Sequence, residues 1–310
     1  MAQIPNADEI PKKPTPADIY KIERAGLNSV IAGGALCCGK GTIFEMSKEV
    51  ITACNVGPSF IERIGMSDEI RFQTETNGIF AINAVEIKKI IANGQMVPNK
   101  LTCPIILAAI LRRCNALAGV PRGTGPYVLI LDGFPRDAAQ EGYLRLLRIA
   151  YKPVCITIPR ELYDIRAIER AKKQGRPDDA KQEIRDVRWN LWLTQTLPMF
   201  RAMDRRKFGS RVCWIDGTEP LIKKVRTFIG QLGFDSITFG RICNYLDNTT
   251  NPVTKQILEI DNPKPKWPAN HIGAVPLSDG SEGTVPSWLR GNLFYQPQQL
   301  AAAAPAPSAP

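Results

Sequence analysis

Short apolar runs alternate with longer segments of helical spacing through the middle of the chain. The strand candidates are 29–32, 60–66, 127–131, 154–158 and 212–215. The helix candidates are 40–54, 81–92, 105–118, 138–149, 160–173, 179–195 and 220–232. Runs such as Val-Leu-Ile-Leu at 128–131 are apolar without alternation, which indicates strands covered by helices on both faces. The pattern predicts an α/β fold with a five-stranded parallel sheet flanked by helices and right-handed crossovers.

The two ends of the chain have a different character. Prolines at 5, 11, 14 and 16 break residues 1–27, which predicts an extended N-terminal arm before a core at 28–243. Residues 244–300 are proline-rich and predict an irregular appendage, and the Ala/Pro/Ser residues 301–310 predict a disordered tail. No apolar run reaches the length of a membrane span, and the first residues resemble neither a signal nor a transit peptide, so a cytoplasmic protein is expected.

The spacing of the cysteines and the net charge limit the kinds of protein that this chain can be. The eight cysteines form no Cys-x-x-Cys pair, which favours reduced thiols over a disulfide scaffold or a zinc ribbon. The formal net charge of +10 is concentrated in 29–243. Such an excess suits polyphosphate binding, and a nucleic-acid surface has the same charge signature.

The most specific motif follows the first strand candidate. A strand, a glycine-bounded loop and a Lys-Gly-Thr that opens a helix predict a phosphate-cradling P-loop, whose backbone N–H groups point at an anion. Lys40 would reach the outer phosphates, and the Thr42 hydroxyl would serve Mg²⁺ or a phosphate oxygen. An ordinary glycine-rich turn is the alternative. The predicted ATP-binding loop consists of Gly34, Ala35, Leu36, Cys37, Cys38, Gly39, Lys40, Gly41 and Thr42.

A second motif, Leu-Asp-Gly-Phe-Pro-Arg at 131–136 followed by Gln140, makes the chain resemble adenylate kinases and the wider nucleoside monophosphate kinase family. Further motifs follow in the family's order between residues 28 and 233. The resemblance implies a three-layer P-loop fold with a monophosphate-binding region at about 66–100 and a short lid at about 166–188. The lid segment contains no cysteine, so no zinc is expected there.

The resemblance also implies an acceptor site for AMP. Arg71 and Arg136 would clamp the acceptor phosphate as bidentate forks, and Gln140 would read the Watson–Crick edge of adenine. The implied AMP-binding residues are Met66, Arg71, Val97, Gly133, Arg136, Gln140 and Arg188.

On the donor side, the resemblance implies Arg166, Arg170 and Glu219 as further ATP contacts. Mg²⁺ would be held through water near Asp132 and Asp68, with Thr42. The implied catalytic residues are Lys40, Asp132, Arg136, Arg176 and Arg188. The position of the second lid arginine differs with the starting point: counting forward from Arg176 reaches Val187, and counting back from Pro198 reaches Arg188. Arg185 is therefore an alternative to Arg188.

The P-loop departs from the family pattern at Cys37, which replaces a glycine. If that position needs a positive φ, the β-carbon costs on the order of 1 kcal/mol. Cys37 and Cys38 are either small buried residues or redox-sensitive thiols, because a helix N-terminus lowers a thiol pKa. Met66 and Ser67 likewise replace a Thr-Gly pair beside the acceptor base.

The expected function is that of an ATP:AMP phosphotransferase which uses Mg²⁺ and makes two ADP. The alternative is a kinase-like subunit of a larger assembly, such as a ribonucleoprotein. This subunit would be catalytically weak or inactive and would have a structural or nucleotide-sensing role. Its protein or RNA partner would bind the N-terminal arm and residues 244–300. A kinase for another monophosphate is the third interpretation.

Overall fold

The computed structural model describes residues 13–56, 60–75, 84–117, 126–174, 177–206 and 211–248. It contains a five-stranded, all-parallel sheet with the strand order β2-β3-β1-β4-β5, which confirms the predicted fold class. The strands are β1 (Asn28–Gly34), β2 (Phe60–Gly65), β3 (Tyr127–Asp132), β4 (Ala150–Thr157) and β5 (Cys213–Asp216). Arg176, residues 249–300 and the tail 301–310 lie outside the described residues.

Helices cover both faces of the sheet. They are α1 (Pro16–Ala25), α2 (Lys40–Ala53), α3 (Met66–Glu75), α4 (Ala84–Ala92), α5 (Asn99–Leu117), α6 (Ala138–Leu146), α7 (Arg160–Gln174), α8 (Gln182–Leu191), α9 (Leu197–Asp204), α10 (Leu221–Ile229) and α11 (Ser236–Asn248). A 3-10 turn at Pro177–Ala180 precedes α8, and a π-helical turn at Trp192–Thr196 joins α8 to α9. Among the described residues, none of the helices combines the length and apolar character needed to cross a bilayer.

The register of the strands places the functional loops at one edge. Ala32 of β1 is paired with Asp132 of β3, and Gly34 is paired with Ile156 of β4. Carboxyl ends of parallel strands meet at the same edge of a sheet, so the loop after β1 lies between the loops that follow β3 and β4. The first loop therefore faces residues from several elements at once.

The expectation of an extended arm over residues 1–27 is wrong for residues 16–25, which form α1. Thr15 caps this helix: its hydroxyl accepts a hydrogen bond from the Asp18 N–H at 3.2 Å, and the Asp18 carboxylate accepts one from the Thr15 N–H at 2.9 Å. Pro16 occupies the first helical position, where a missing N–H costs nothing. Gly26 ends the helix in the left-handed region at φ 59°.

The C-terminal boundary at 243 also differs from the structure. Helix α11 continues to Asn248, five residues into the segment expected to be irregular. Ile242 and Leu246 are buried one turn apart on this helix. Their burial extends the packed region beyond the predicted core.

Candidate functional site

A cleft of about 360 Å³ opens at the carboxyl edge of the sheet. Its lining comes from the loop after β1, the α3–α5 region, the loop after β3, and helices α7 and α8. Eleven of the predicted site residues line it: Gly34, Leu36, Lys40, Met66, Arg71, Val97, Gly133, Arg136, Gln140, Arg170 and Arg188. The fold thus brings all seven predicted acceptor residues and four of the twelve predicted donor residues to one cavity.

The loop after β1 is built on left-handed backbone. Cys37 has φ 59°, and Gly34 and Gly39 have φ 144° and 97°. Only glycine adopts such angles without a steric penalty, so the Cys37 β-carbon is held in a strained conformation. Position 37 therefore carries the cost expected of a β-carbon at positive φ.

Lys40 is folded back onto its own loop. Its ammonium donates to the carbonyls of Gly34 at 3.3 Å and Ala35 at 3.2 Å, and lies 3.4 Å from the Cys38 sulfur. The Cys38 side chain is fully buried, and a β-carbon built on Gly34 would lie 2.6 Å from its sulfur. To meet an external phosphate, Lys40 must exchange these carbonyls for phosphate oxygens. Thr42 stands exposed in the first turn of α2.

The Cys37 thiol is not activated in the manner that the redox hypothesis requires. Burial raises the pKa of Cys37 to about 11, and this outweighs the nearby Arg170 guanidinium, which lowers it. The thiol therefore stays protonated at neutral pH, and the direction is opposite to that of a reactive thiolate.

A glycine at position 37 should relieve the strain. We expect Cys37→Gly to be about 1 kcal/mol more stable toward urea unfolding than Cys37→Ala, because both variants lack the thiol and only one keeps the β-carbon. Equal unfolding midpoints for the two variants would show that the left-handed backbone carries no strain.

On the side predicted to bind the acceptor, the Arg136 backbone positions the Gln140 side chain. The Arg136 backbone N–H donates to Gln140 Oε1 at 2.8 Å, and the Arg136 side-chain Nε donates to the Gly133 carbonyl at 3.0 Å. Thr196 on the turn before α9 donates to the Arg136 carbonyl at 2.8 Å. Burial lowers the pKa of Arg136 and Arg188 adds to that effect, while Asp132 opposes it. A bound anion would stabilise this partly compensated charge.

The Gln140 amide is already well bonded within the protein. Its NH₂ donates to Asn99 Oδ1 at 2.7 Å and to the Thr102 hydroxyl at 3.4 Å. Its oxygen has accepted one N–H, which leaves one lone pair for a ligand. The Asn99 and Thr102 contacts were not foreseen from the sequence. The sequence signal for these contacts was the presence of polar residues in the first turns of the largely apolar helix α5.

Two arginines of the predicted lid, Arg170 and Arg188, both bind the carboxylate of Asp179, which is fully buried. Arg170 donates to one Asp179 oxygen through Nε and Nη2, at 2.8 and 2.6 Å, and Arg188 donates to the other. Arg188 also donates to Asp178 at 2.8 Å and to the Ile91 carbonyl, at the end of α4, at 3.2 Å. It therefore joins the lid to the predicted monophosphate-binding region.

Arg185, the alternative to Arg188, has a different environment. It is buried, and it donates to Asp164 at 2.9 Å and to the Ala180 carbonyl at 2.7 Å. These contacts tie α7 to the turn before α8, and Arg185 does not line the cleft. Of the two arginines, Arg188 is the one whose side chain reaches the cavity.

The loop after β5 is joined to the first loop through Arg166. Arg166 donates to the carbonyls of Cys37 at 3.5 Å and Gly217 at 3.2 Å, so it links the first loop to this one. Lys224 donates to the same Gly217 carbonyl at 3.1 Å from a buried position. Glu219 is partly exposed on this loop and pairs with Lys223 at 2.5 Å.

The carboxylates expected near Mg²⁺ are engaged by an arginine that the sequence reasoning missed. Arg63 donates to Asp132 Oδ2 through Nε at 3.0 Å and Nη2 at 2.7 Å, and its Nη1 lies 3.7 Å from Asp68. Across the described ranges, no three His, Cys, Asp or Glu side chains gather as metal ligands. In this arrangement the residues do not fit a water-held Mg²⁺. The available signal was a basic residue inside a strand expected to be buried.

The electrostatics of the cleft favour a polyanion. Lys40, Arg71, Arg136, Arg170 and Arg188 line it, and Asp178 is the one acidic residue among its described lining residues. Guanidinium groups bind phosphate oxygens in bidentate fashion, and Arg71 is more than half exposed. The arrangement can bind phosphate groups between the first loop and Arg136.

Comparison with known proteins shows that the chain is similar in sequence to several adenylate kinases. It is 29% identical over 160 residues to an adenylate kinase of Cyanothece sp., covering 49% of this chain and 75% of the relative. It is 27% identical over 198 residues to an adenylate kinase of Xanthomonas oryzae pv. oryzae, covering 62% and 94%. It is 30% identical over 146 residues to an adenylate kinase of Nocardioides sp., covering 46% and 71%. No family model matches the chain.

Proposed function

The chain belongs to the adenylate kinase family, and from that membership we propose that it is an ATP:AMP phosphotransferase that forms two ADP. Nucleoside monophosphate kinase chemistry is the general activity that its relatives support. The observation that carries the proposal is the single cleft that joins the first loop to Arg71, Arg136 and Arg188.

Phosphoryl transfer requires positioning and charge stabilisation more than covalent catalysis. The loop at 34–42 and Lys40 would hold the donor phosphates, and Arg71 and Arg136 would hold the acceptor phosphate. Arg170 and Arg188, which share Asp179, would neutralise charge that develops between the two nucleotides. Arg176 stays a sequence prediction for the same role, since it lies outside the described residues.

Gln140 supports adenine as the acceptor base. Its free oxygen lone pair suits the exocyclic amino group of adenine. The weaker of its two donated bonds, 3.4 Å to Thr102, is the one that adenine N1 would replace. Val97, also buried, and Met66 supply apolar surface to the same cleft.

The test is ADP formation from ATP and a series of monophosphates by the purified full chain in buffer with Mg²⁺. We expect AMP to exceed CMP, UMP and dTMP in kcat/KM by about tenfold or more, which corresponds to about 1.4 kcal/mol. A pyrimidine monophosphate that outcompetes AMP would show that Gln140 does not read adenine.

A second candidate is a nucleotide-sensing subunit without turnover. It is supported by the strained Cys37 and by Lys40, which is held by its own loop. Nucleotide binding by folded protein, with no ADP formed from any monophosphate, would favour this candidate over the enzyme.

A further inference from the structure

We propose that Arg63 is a built-in counter-ion for Asp132 and Asp68 that competes with Mg²⁺ near the phosphate site. The inference rests on the proposed function, because a bound nucleotide is what brings the metal to this edge of the sheet. In this chain, metal binding to the nucleotide complex requires that Arg63 give up its carboxylate contacts. Arg63 thus lowers the affinity of the nucleotide complex for the metal ion.

The strand register builds the contact. Arg63 and Gly65 are two residues apart on β2 and point to the same face of the sheet. Gly65 is the register partner of Asp132 on β3. A β-carbon built on Gly65 would lie 3.3 Å from Arg63 Nη2 and 2.5 Å from Asp68 Oδ2. The absent side chain at position 65 therefore provides the path by which the guanidinium reaches both carboxylates.

The hydrogen-bond geometry is that of a specific ion pair. Two Arg63 N–H groups converge on one oxygen of Asp132, whose side chain is only 10% exposed. A third nitrogen, Nη1, lies 3.7 Å from Asp68, and Arg71 approaches the other Asp68 oxygen at 3.8 Å. Charge-assisted bonds of the length seen between Arg63 and Asp132 are among the strong ones in proteins.

The guanidinium is also supported on the side of α2. The Arg63 Cζ atom lies 5.8 Å from the centroid of the Phe44 ring, within range of a cation–π contact. Phe44 is buried against Phe228, with ring centroids 5.0 Å apart. The packed Phe44–Phe228 pair therefore restricts the position of the Arg63 guanidinium.

A hydrated Mg²⁺ beside Asp132 would share a carboxylate whose Oδ2 already accepts two Arg63 N–H groups. Magnesium gives up its waters reluctantly and is held through one or two carboxylates together with phosphates. A positive charge a few ångströms from the metal position opposes its binding, and this opposition is strong where the site is partly buried. Removal of the Arg63 charge should therefore strengthen metal binding.

The experiment measures Mn²⁺ affinity of the full chain in complex with a non-hydrolysable ATP analogue, by the loss of the free Mn²⁺ EPR signal. We expect Arg63→Gln to bind Mn²⁺ about tenfold more tightly than the unmodified chain. Lys48→Gln removes the same charge from an exposed position of α2 and should leave the affinity within twofold.

A second variant keeps the inference testable if Arg63→Gln fails to fold. Arg63→Met also removes the charge and keeps an apolar chain beside the Phe44 ring, so it should shift Mn²⁺ affinity in the same direction. Unchanged Mn²⁺ affinity in a folded variant that still binds the nucleotide would overturn the inference and leave the proposed function standing. Failure of every form to retain nucleotide, with or without metal, would overturn both.

Discussion

Arg136→Ala should reduce kcat/KM for ADP formation by about a thousandfold, or about 4 kcal/mol of transition-state stabilisation. The Arg136 side chain lies between the Gly133 carbonyl and the cleft, and burial together with Arg188 lowers its pKa. Its charge is therefore only partly compensated by other groups of the protein. A phosphate that becomes more negative during transfer would supply the missing partner, and alanine cannot replace that contact.

The control for this prediction is Arg148→Ala. Arg148 is 68% exposed and pairs with Glu23 at 3.3 Å, and it is not part of the cleft lining. Its loss should leave kcat/KM within twofold. Arg136→Lys keeps the charge without the planar fork, and we expect it to recover only a small part of the activity. A folded Arg136→Ala protein that retains more than a tenth of the activity would contradict the proposed role.

The sheet could be predicted from the sequence because its signal is local. Strands covered on both faces leave uninterrupted apolar runs, and all five runs fall within the observed strands or within one residue of their ends. The glycine-bounded loop is equally local, since its strand, turn and helix are consecutive in the chain. The departure at Cys37 is recognisable for the same reason, and its φ of 59° follows from the loop that surrounds it.

The side-chain pairs of the site could not be predicted in this way. Arg63 meets Asp132 across 69 positions of sequence, through a register in which Gly65 leaves the space open. Gln140 is a base reader by resemblance, but its partner Asn99 comes from a different helix. Such contacts depend on which strands become neighbours in the sheet, and the strand order cannot be read from a single sequence.

The prolines of the first segment show a different reason for error. Proline content predicts a break at Pro16, although this residue occupies the first helical position, where a proline is well tolerated. Thr15 and Asp18 form a recognisable capping box, so the signal for α1 is present in the sequence and is outweighed by the prolines around it.

The buried carboxylate of Glu141 should contribute far more to stability than an exposed one such as Glu23. Glu141 lies on α6, and it accepts hydrogen bonds from Arg206 at 2.7 and 2.8 Å and from the Tyr151 hydroxyl at 2.5 Å. Burial raises its pKa, but the bonds from Arg206 and Tyr151 outweigh burial and lower the pKa below its usual value. Glu141→Gln should reduce the free energy of unfolding by about 3 kcal/mol, because Arg206 loses its charged partner.

The sign of the pH dependence follows from the lowered pKa. The stabilisation by Glu141 is fully present above the pKa of an unfolded glutamate, about 4.3, and is lost as pH falls through the lower folded value. Urea unfolding should therefore separate the unmodified chain from Glu141→Gln clearly at pH 7 and progressively less below pH 4. Glu23→Gln, which removes the exposed partner of Arg148, should change stability by less than about 1 kcal/mol at either pH. A gap between Glu141→Gln and the unmodified chain that stays constant with pH would show that the ionised Arg206 pair does not stabilise the fold.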